Sequence, residues 1–135
     1  MSKSLIKNKD RARQLMLFDG LVRHRGISPT DIDGLIDYKG NAFILLEGKL
    51  TGTPILNGQK MAIENLCKAI ISGGKECIAL VFEHQTKSSN DIFVKNCLVR
   101  KIYISGCWRD PKFNISVIQA VDLIETYFKQ KNIEI

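Results

Sequence analysis

Two runs of strand-forming residues separated only by Lys39-Gly40-Asn41 constrain this chain more than any other feature. Ile32 to Tyr38 and Ala42 to Leu50 are rich in aliphatic and aromatic residues, and the tripeptide between them has the chemistry of a short hairpin loop. Side chains alternate between the faces of a strand, and directly opposed residues share a face. A three-residue loop centred on Gly40 opposes residues whose numbers sum to 80. Tyr38 then faces Ala42, Ile36 faces Ile44 and Gly34 faces Leu46, an apolar face that should be buried. On the odd-numbered face Leu35, Phe43 and Leu45 lie nearer the turn, while at the far end Asp33 opposes Glu47 and Asp31 opposes Lys49. A two-residue loop would shift the register by one and put Asp33 and Glu47 on opposite faces. Glu47 and Lys49 share a face in either case.

The remaining patterns surround this hairpin with alternating elements. From about Asn8 to Arg23, Ala12, Leu15, Met16, Leu21 and Val22 recur at helical spacing, which predicts an amphipathic helix ended by Gly26. Pro29 then breaks the chain. Gln59 to Ile71 reads as a helix with Ile63, Leu66 and Ile70 inward, stopped at Ser72-Gly73-Gly74. Cys77 to Phe82 is a continuous apolar run of strand length, as expected of a strand covered on both faces. A strand, helix and buried strand in that order imply a parallel crossover. Residues 84 to 91 are polar and read as an exposed loop, and a strand is expected near Cys97 to Ile104. Ser116 and Gln119 have capping-box spacing, opening a helix with Val117, Val121, Ile124 and Phe128 on one face. The fold class is α/β, a single domain over 1–135 with a mixed central sheet flanked by helices.

Composition narrows the function classes. The chain has 135 residues, 44% hydrophobic and 25% charged, and no apolar run approaches the roughly 20 residues that a spanning helix needs. No apolar region follows the N-terminal lysines, so a secretory signal is not read there and a cytoplasmic location is expected. Cys67, Cys77, Cys97 and Cys107 form no C-x-x-C pair, which argues against a zinc site; small buried thiols are expected instead. Of the formal charge of +6, residues 1 to 25 supply all but one unit. Arg11, Arg13, Arg23 and Arg25 could meet a polyanion by counterion release, or simply form a solvated face.

Chemistry concentrates at the far end of the hairpin. Carboxylates opposed at roughly 5 Å repel each other unless a cation or proton lies between them. Mg²⁺ suits such a pair, since it prefers oxygen ligands and keeps waters that leave room for a phosphate; Mn²⁺ could substitute. In the structural alternative the two acids sit near solvent and Lys49 merely pairs with Asp31. Embedding in Phe43-Ile44-Leu45-Leu46 favours the functional reading, because charge there is costly unless paired or bound to metal.

At these residues, Ser28-Pro29-Thr30-Asp31-Ile32-Asp33-Gly34, the hairpin and then Glu47-Gly48-Lys49, the sequence resembles the PD-(D/E)xK, or restriction endonuclease-like, nuclease superfamily. The resemblance spans roughly residues 8 to 83, and the order of elements around the motif fits as well as the motif. It implies metal-dependent hydrolysis of DNA phosphodiester bonds. Asp33, Glu47 and the Gly48 carbonyl would hold the metal, with Asp31 a second-shell or second-metal residue, and Lys49 would act on the attacking water. Some members carry a glutamine early in the crossover helix, and Gln59 resembles it; Lys60 beside it could reach phosphate or face solvent. The chain departs from the family pattern in that Pro29 and the best-placed acid are not adjacent, so Asp31 and Asp33 both stand as ligand candidates. The expected function is a Mg²⁺-dependent endodeoxyribonuclease, site-specific or junction-resolving, that acts on DNA as a homodimer or nicks as a single chain. The alternative is an inactive nuclease-like module that binds nucleic acid. His84, alone at a strand end, reads as a surface or hydrogen-bonded residue, and Trp108 as an anchor for the last helix.

Overall fold

A computed structural model of the protein describes residues 17–86 and 90–135. Its centre is a five-stranded mixed sheet: β1 (Gly34–Asp37), β2 (Ala42–Leu50), β3 (Glu76–His84), β4 (Leu98–Ile104) and β5 (Cys107–Arg109), in that spatial order. Helix α1 (Asn57–Ser72) connects β2 to β3, and α2 (Val117–Gln130) follows β5. Strands β2 and β3 are parallel, and every other neighbouring pair is antiparallel. No helix of the described residues is long and apolar enough to cross a membrane.

The hairpin takes the register its turn chemistry predicts. Gly34 pairs with Leu46 and Ile36 with Ile44. Lys39 and Gly40 both have positive φ (55° and 80°), a conformation glycine adopts freely, and Tyr38 closes the loop by accepting from Asn41 N–H and donating to the Ala42 carbonyl.

Each face of the sheet carries one helix. On one face Val117, Val121, Ile124 and Phe128 of α2 pack with Ile44, Ile78, Leu80 and Phe82. The Ser116 hydroxyl accepts from Gln119 N–H while the Gln119 side chain accepts from Ser116 N–H, the reciprocal cap its spacing predicts. Ser116→Ala is expected to destabilise the protein by about 1 kcal/mol, read as a lower denaturant midpoint at unchanged slope. The other face holds Ile63, Cys67 and Ile70 of α1 against Leu45, Cys77, Ala79 and Tyr103.

Several expectations need correction. Residues 17–23 do not continue a helix: Gly20 has a φ of 82°, Leu21 and Val22 are exposed, and only a short 3₁₀ turn forms at His24–Gly26. A helix draws most of its stability from packing an apolar face, and these residues have none buried. The predicted helix over 8–16, with Arg11 and Arg13, lies outside the described residues. The inward stripe of α1 runs through Cys67, while Leu66 sits at its edge, 38% exposed. Cys67 and Cys77 are buried with sulfurs 3.3 Å apart, but Cys97 is only half-buried and Cys107 is exposed. Trp108 does not anchor the last helix. It packs against Tyr103 in a tilted ring contact, centroids 5.1 Å apart, in the cluster beneath α1. Strand β5 itself is an addition, joined to β4 through Ser105-Gly106, both at positive φ.

Candidate metal and phosphate site

The parallel pairing of β2 with β3 and the antiparallel pairing of β1 with β2 converge at the carboxyl end of β2. Glu47 and Lys49 project from that end to the side covered by α1, as does Leu45 two residues earlier. Glu47 is 4% exposed and is the one buried charged residue among those described. Gln59, in the first turn of α1, donates its Nε2 hydrogen to Glu47 Oε1 at 2.7 Å. Lys49 Nζ lies 3.9 Å from the same oxygen. The Asp33 carboxylate accepts the Gly48 N–H at 2.7 Å through Oδ2. Asp33, Glu47, Lys49 and Gln59, all singled out from sequence, therefore form one cluster.

The contact between Asp33 and Gly48 also explains where β1 begins. In an antiparallel ladder the N–H and C=O of one residue point to the same neighbouring strand. The side chain of Asp33 takes the Gly48 N–H that a ladder carbonyl would otherwise take, and pairing stops at Gly34. The Gly48 carbonyl is thereby left on the Asp33 side. Asp31 consequently lies before the strand and is exposed, and the carboxylate beside Lys49 is that of Glu47, not of Asp31. The expected opposition of Asp31 and Lys49 does not form, and Asp33, also exposed ahead of β1, reaches the cluster through its bond to the Gly48 N–H and not as a ladder partner of Glu47.

Among the described residues the site holds two carboxylates, Asp33 and Glu47, against the one ammonium group of Lys49. The Glu47 carboxyl is pushed up to about 7, first by burial and then by the Asp33 charge beside it, with Lys49 pulling the other way. Two buried oxygens, Glu47 Oε2 and Gln59 Oε1, have no hydrogen-bond partner. A buried acceptor without a partner is costly, and a cation or a proton is what such oxygens accept. Among the described residues no group of three or more His, Cys, Asp and Glu side chains converges. A cation here would thus rest on Asp33, Glu47 and a backbone carbonyl, with waters completing its shell, a donor set that suits Mg²⁺ better than zinc.

One close approach was not legible from sequence. A Cβ added to Gly48 would lie 2.7 Å from two ring carbons of Phe82, its neighbour on β3, and 3.5 Å from Asp33 Oδ2. The glycine between Glu47 and Lys49 is required by the ring beside it. Gly48→Ala is expected to cost about 1–3 kcal/mol, measured by chemical unfolding, since a buried ring must move to admit the methyl group. Glu83, register partner of Lys49 on β3, is a second unanticipated neighbour of the site. The apolar run ahead of it gave its strand but not its register.

Other residues singled out from sequence lie apart from the cluster. Lys60 Nζ sits over the Trp108 ring, 5.6 Å from its centroid. Arg23 and Arg25 are exposed on the segment before β1, and no hydrogen bond or ion pair among the described residues links them to the cluster. His84 accepts the Thr86 N–H through Nδ1, the hydrogen-bonded role expected of it. Comparison of the chain with protein-family models, with curated proteins and with solved structures finds no match in any of the three.

Proposed function

We propose that the protein is a Mg²⁺-dependent endodeoxyribonuclease with a restriction endonuclease-like core, its centre formed by Asp33, Glu47 and Lys49 and supported by Gln59. The observation that carries this reading is the orphaned oxygen of Glu47, buried beside a second carboxylate and a lysine. A structural ion pair would be satisfied by its own members; this set holds more negative charge than Lys49 neutralises. The hairpin, the crossover helix and the parallel strand β3 agree with the resemblance noted from sequence.

When bound, Mg²⁺ would supply Lewis acidity toward the phosphate and lower the pKa of the attacking water. The residues of the chain do the rest. Asp33 and Glu47 would hold the cation, and the Gly48 N–H fixes the orientation of Asp33. Gln59 fixes Glu47 Oε1, which leaves Oε2 directed for ligation. Lys49 orients the water and meets the negative charge that grows on the phosphate, a contribution strengthened by its position, with the side chain 15% exposed. DNA is the expected polyanion, given the excess of basic charge over residues 1 to 25.

Supercoiled plasmid incubated with the purified full chain should be nicked or linearised in Mg²⁺ and untouched in EDTA. Asp33→Asn, which retains an oxygen for the Gly48 N–H but loses the charge, is expected to lower the rate by about 10²-fold or more and to raise the Mg²⁺ concentration needed. Cleavage that Asp33→Asn leaves unchanged would come from a contaminant and sink the assignment.

A further inference from the structure

Beside the carboxylate cluster, at the same end of the sheet, lies a cavity of about 490 Å³ between the end of β3 and the start of β4. Thr51, Glu83 and His84 line it on the sheet side, and Asp91, Phe93 and Asn96 on the other. Two of these tie it to the cluster. Glu83 is the register partner of Lys49, and adjacent strands lie about 5 Å apart. Thr51 follows Lys49 by two residues on the same chain and is bonded through its N–H and hydroxyl to the His84 carbonyl. A phosphate held at Lys49 therefore has this cavity within the reach of its own nucleotide or the next.

The lining is of mixed character. Phe93 is 69% exposed and belongs to neither hydrophobic core cluster, so packing does not account for it. An exposed aromatic face is a stacking platform for any base. Asn96 offers a donor and an acceptor together, the pair that reads a base edge. Glu83 and Asp91 add carboxylate acceptors, which attract amino groups and repel phosphate. The volume lies in the range of small-ligand sites, enough for one base with its sugar.

Resting on the nuclease reading, we infer that this cavity receives one unstacked nucleobase next to the cleaved phosphate and favours bases with an exocyclic amino group. Its acceptors select cytosine, adenine or guanine over thymine, whose edge presents carbonyl oxygens and one ring N–H. The cost of unstacking is least where a base is already unpaired, so single-stranded or mispaired DNA is the preferred substrate class.

The test is a titration of the ¹⁵N-labelled full chain, free of divalent metal, with the 5′-monophosphates of deoxycytidine, deoxyadenosine and thymidine, and with 2-deoxyribose 5-phosphate. The first two should shift the amide signals of Thr86, Phe93 and Asn96, with thymidine monophosphate weaker by about fivefold or more. The sugar phosphate should leave them unmoved. Phe93→Ala and Asn96→Ala should each weaken deoxycytidine monophosphate by about fivefold or more at unchanged thermal stability. Equal shifts from the sugar phosphate, equal affinity for thymidine monophosphate, silent amides with every nucleotide, or unaltered binding by both variants would each overturn the inference. Binding is read here without cleavage. Intact base binding with no Mg²⁺-dependent cutting would sink the nuclease assignment alone.

Discussion

Replacing Glu47 by glutamine should move activity and stability in opposite directions. On the proposed function, DNA cleavage in Mg²⁺ is expected to fall by at least about 10³-fold, because the buried carboxylate that would hold the cation is lost while its shape remains. The metal-free variant, by contrast, should be more stable than wild type above pH 7. The sign follows from linkage. The folded-state value of Glu47 is raised from 4.5 to about 7, so the folded protein holds this proton more tightly than the unfolded chain. Its stabilising contribution is complete below pH 4.5 and is lost as pH rises through about 7. At about 1.4 kcal/mol per pK unit, the difference amounts to roughly 2–4 kcal/mol at most. Urea titrations of metal-free wild type at pH 5 and pH 8 should differ by up to that amount more than those of Glu47→Gln. Added Mg²⁺ should return the loss to wild type at pH 8, by about 2.7 kcal/mol at a hundredfold excess over its dissociation constant, and give the variant much less. Matching pH slopes for the two proteins would remove the electrostatic account of the site.

Lys49→Ala separates holding the cation from using it. Among the described residues its ammonium group is the one positive charge within 4 Å of Glu47. Without it the carboxylates carry a greater excess of negative charge, so Mg²⁺ should stabilise the variant at least as strongly as wild type in thermal unfolding. Cleavage should nevertheless fall by about 10²–10³-fold, since the group that in the proposed reaction would meet charge on the phosphate is gone. A variant that lost Mg²⁺ binding together with cleavage would assign Lys49 a structural part. One that cut normally would exclude it from the chemistry.

How much of this was legible in the sequence depends on whether a residue's position was set locally. The hairpin register was, because Lys39-Gly40-Asn41 can turn the chain in few ways, and parity then carried Asp33 to Glu47. Parity favoured Asp33 over Asp31, but the contact that holds Asp33 was not legible. It depends on the Gly48 N–H bonding to a side chain where a strand would normally continue. Gln59 was singled out by the family resemblance, with helical spacing placing it on the inward stripe, whereas Leu66 was misplaced since Cys67 fits that stripe equally well. Strand β5 spans three residues, too few for alternation to register. Without that strand Trp108 was assigned to the wrong helix. The contact of Phe82 with Gly48 depends on parallel register, which no short-range pattern encodes.

The strand order also bears on how the molecule folds. Every strand lies beside its neighbours in sequence, so most pairings close over short loops and cost little chain entropy to form. The exception is β2 with β3, which must wait until the chain through α1 has doubled back. The carboxylate cluster straddles that junction, with Glu47 on one side and Gln59 and Phe82 arriving only with the crossover. A partly folded chain bearing the β1–β2 hairpin alone would present its acids without their buried setting. Competence to bind the cation tightly should therefore appear late in refolding, coincident with closure of the longest loop in the sheet.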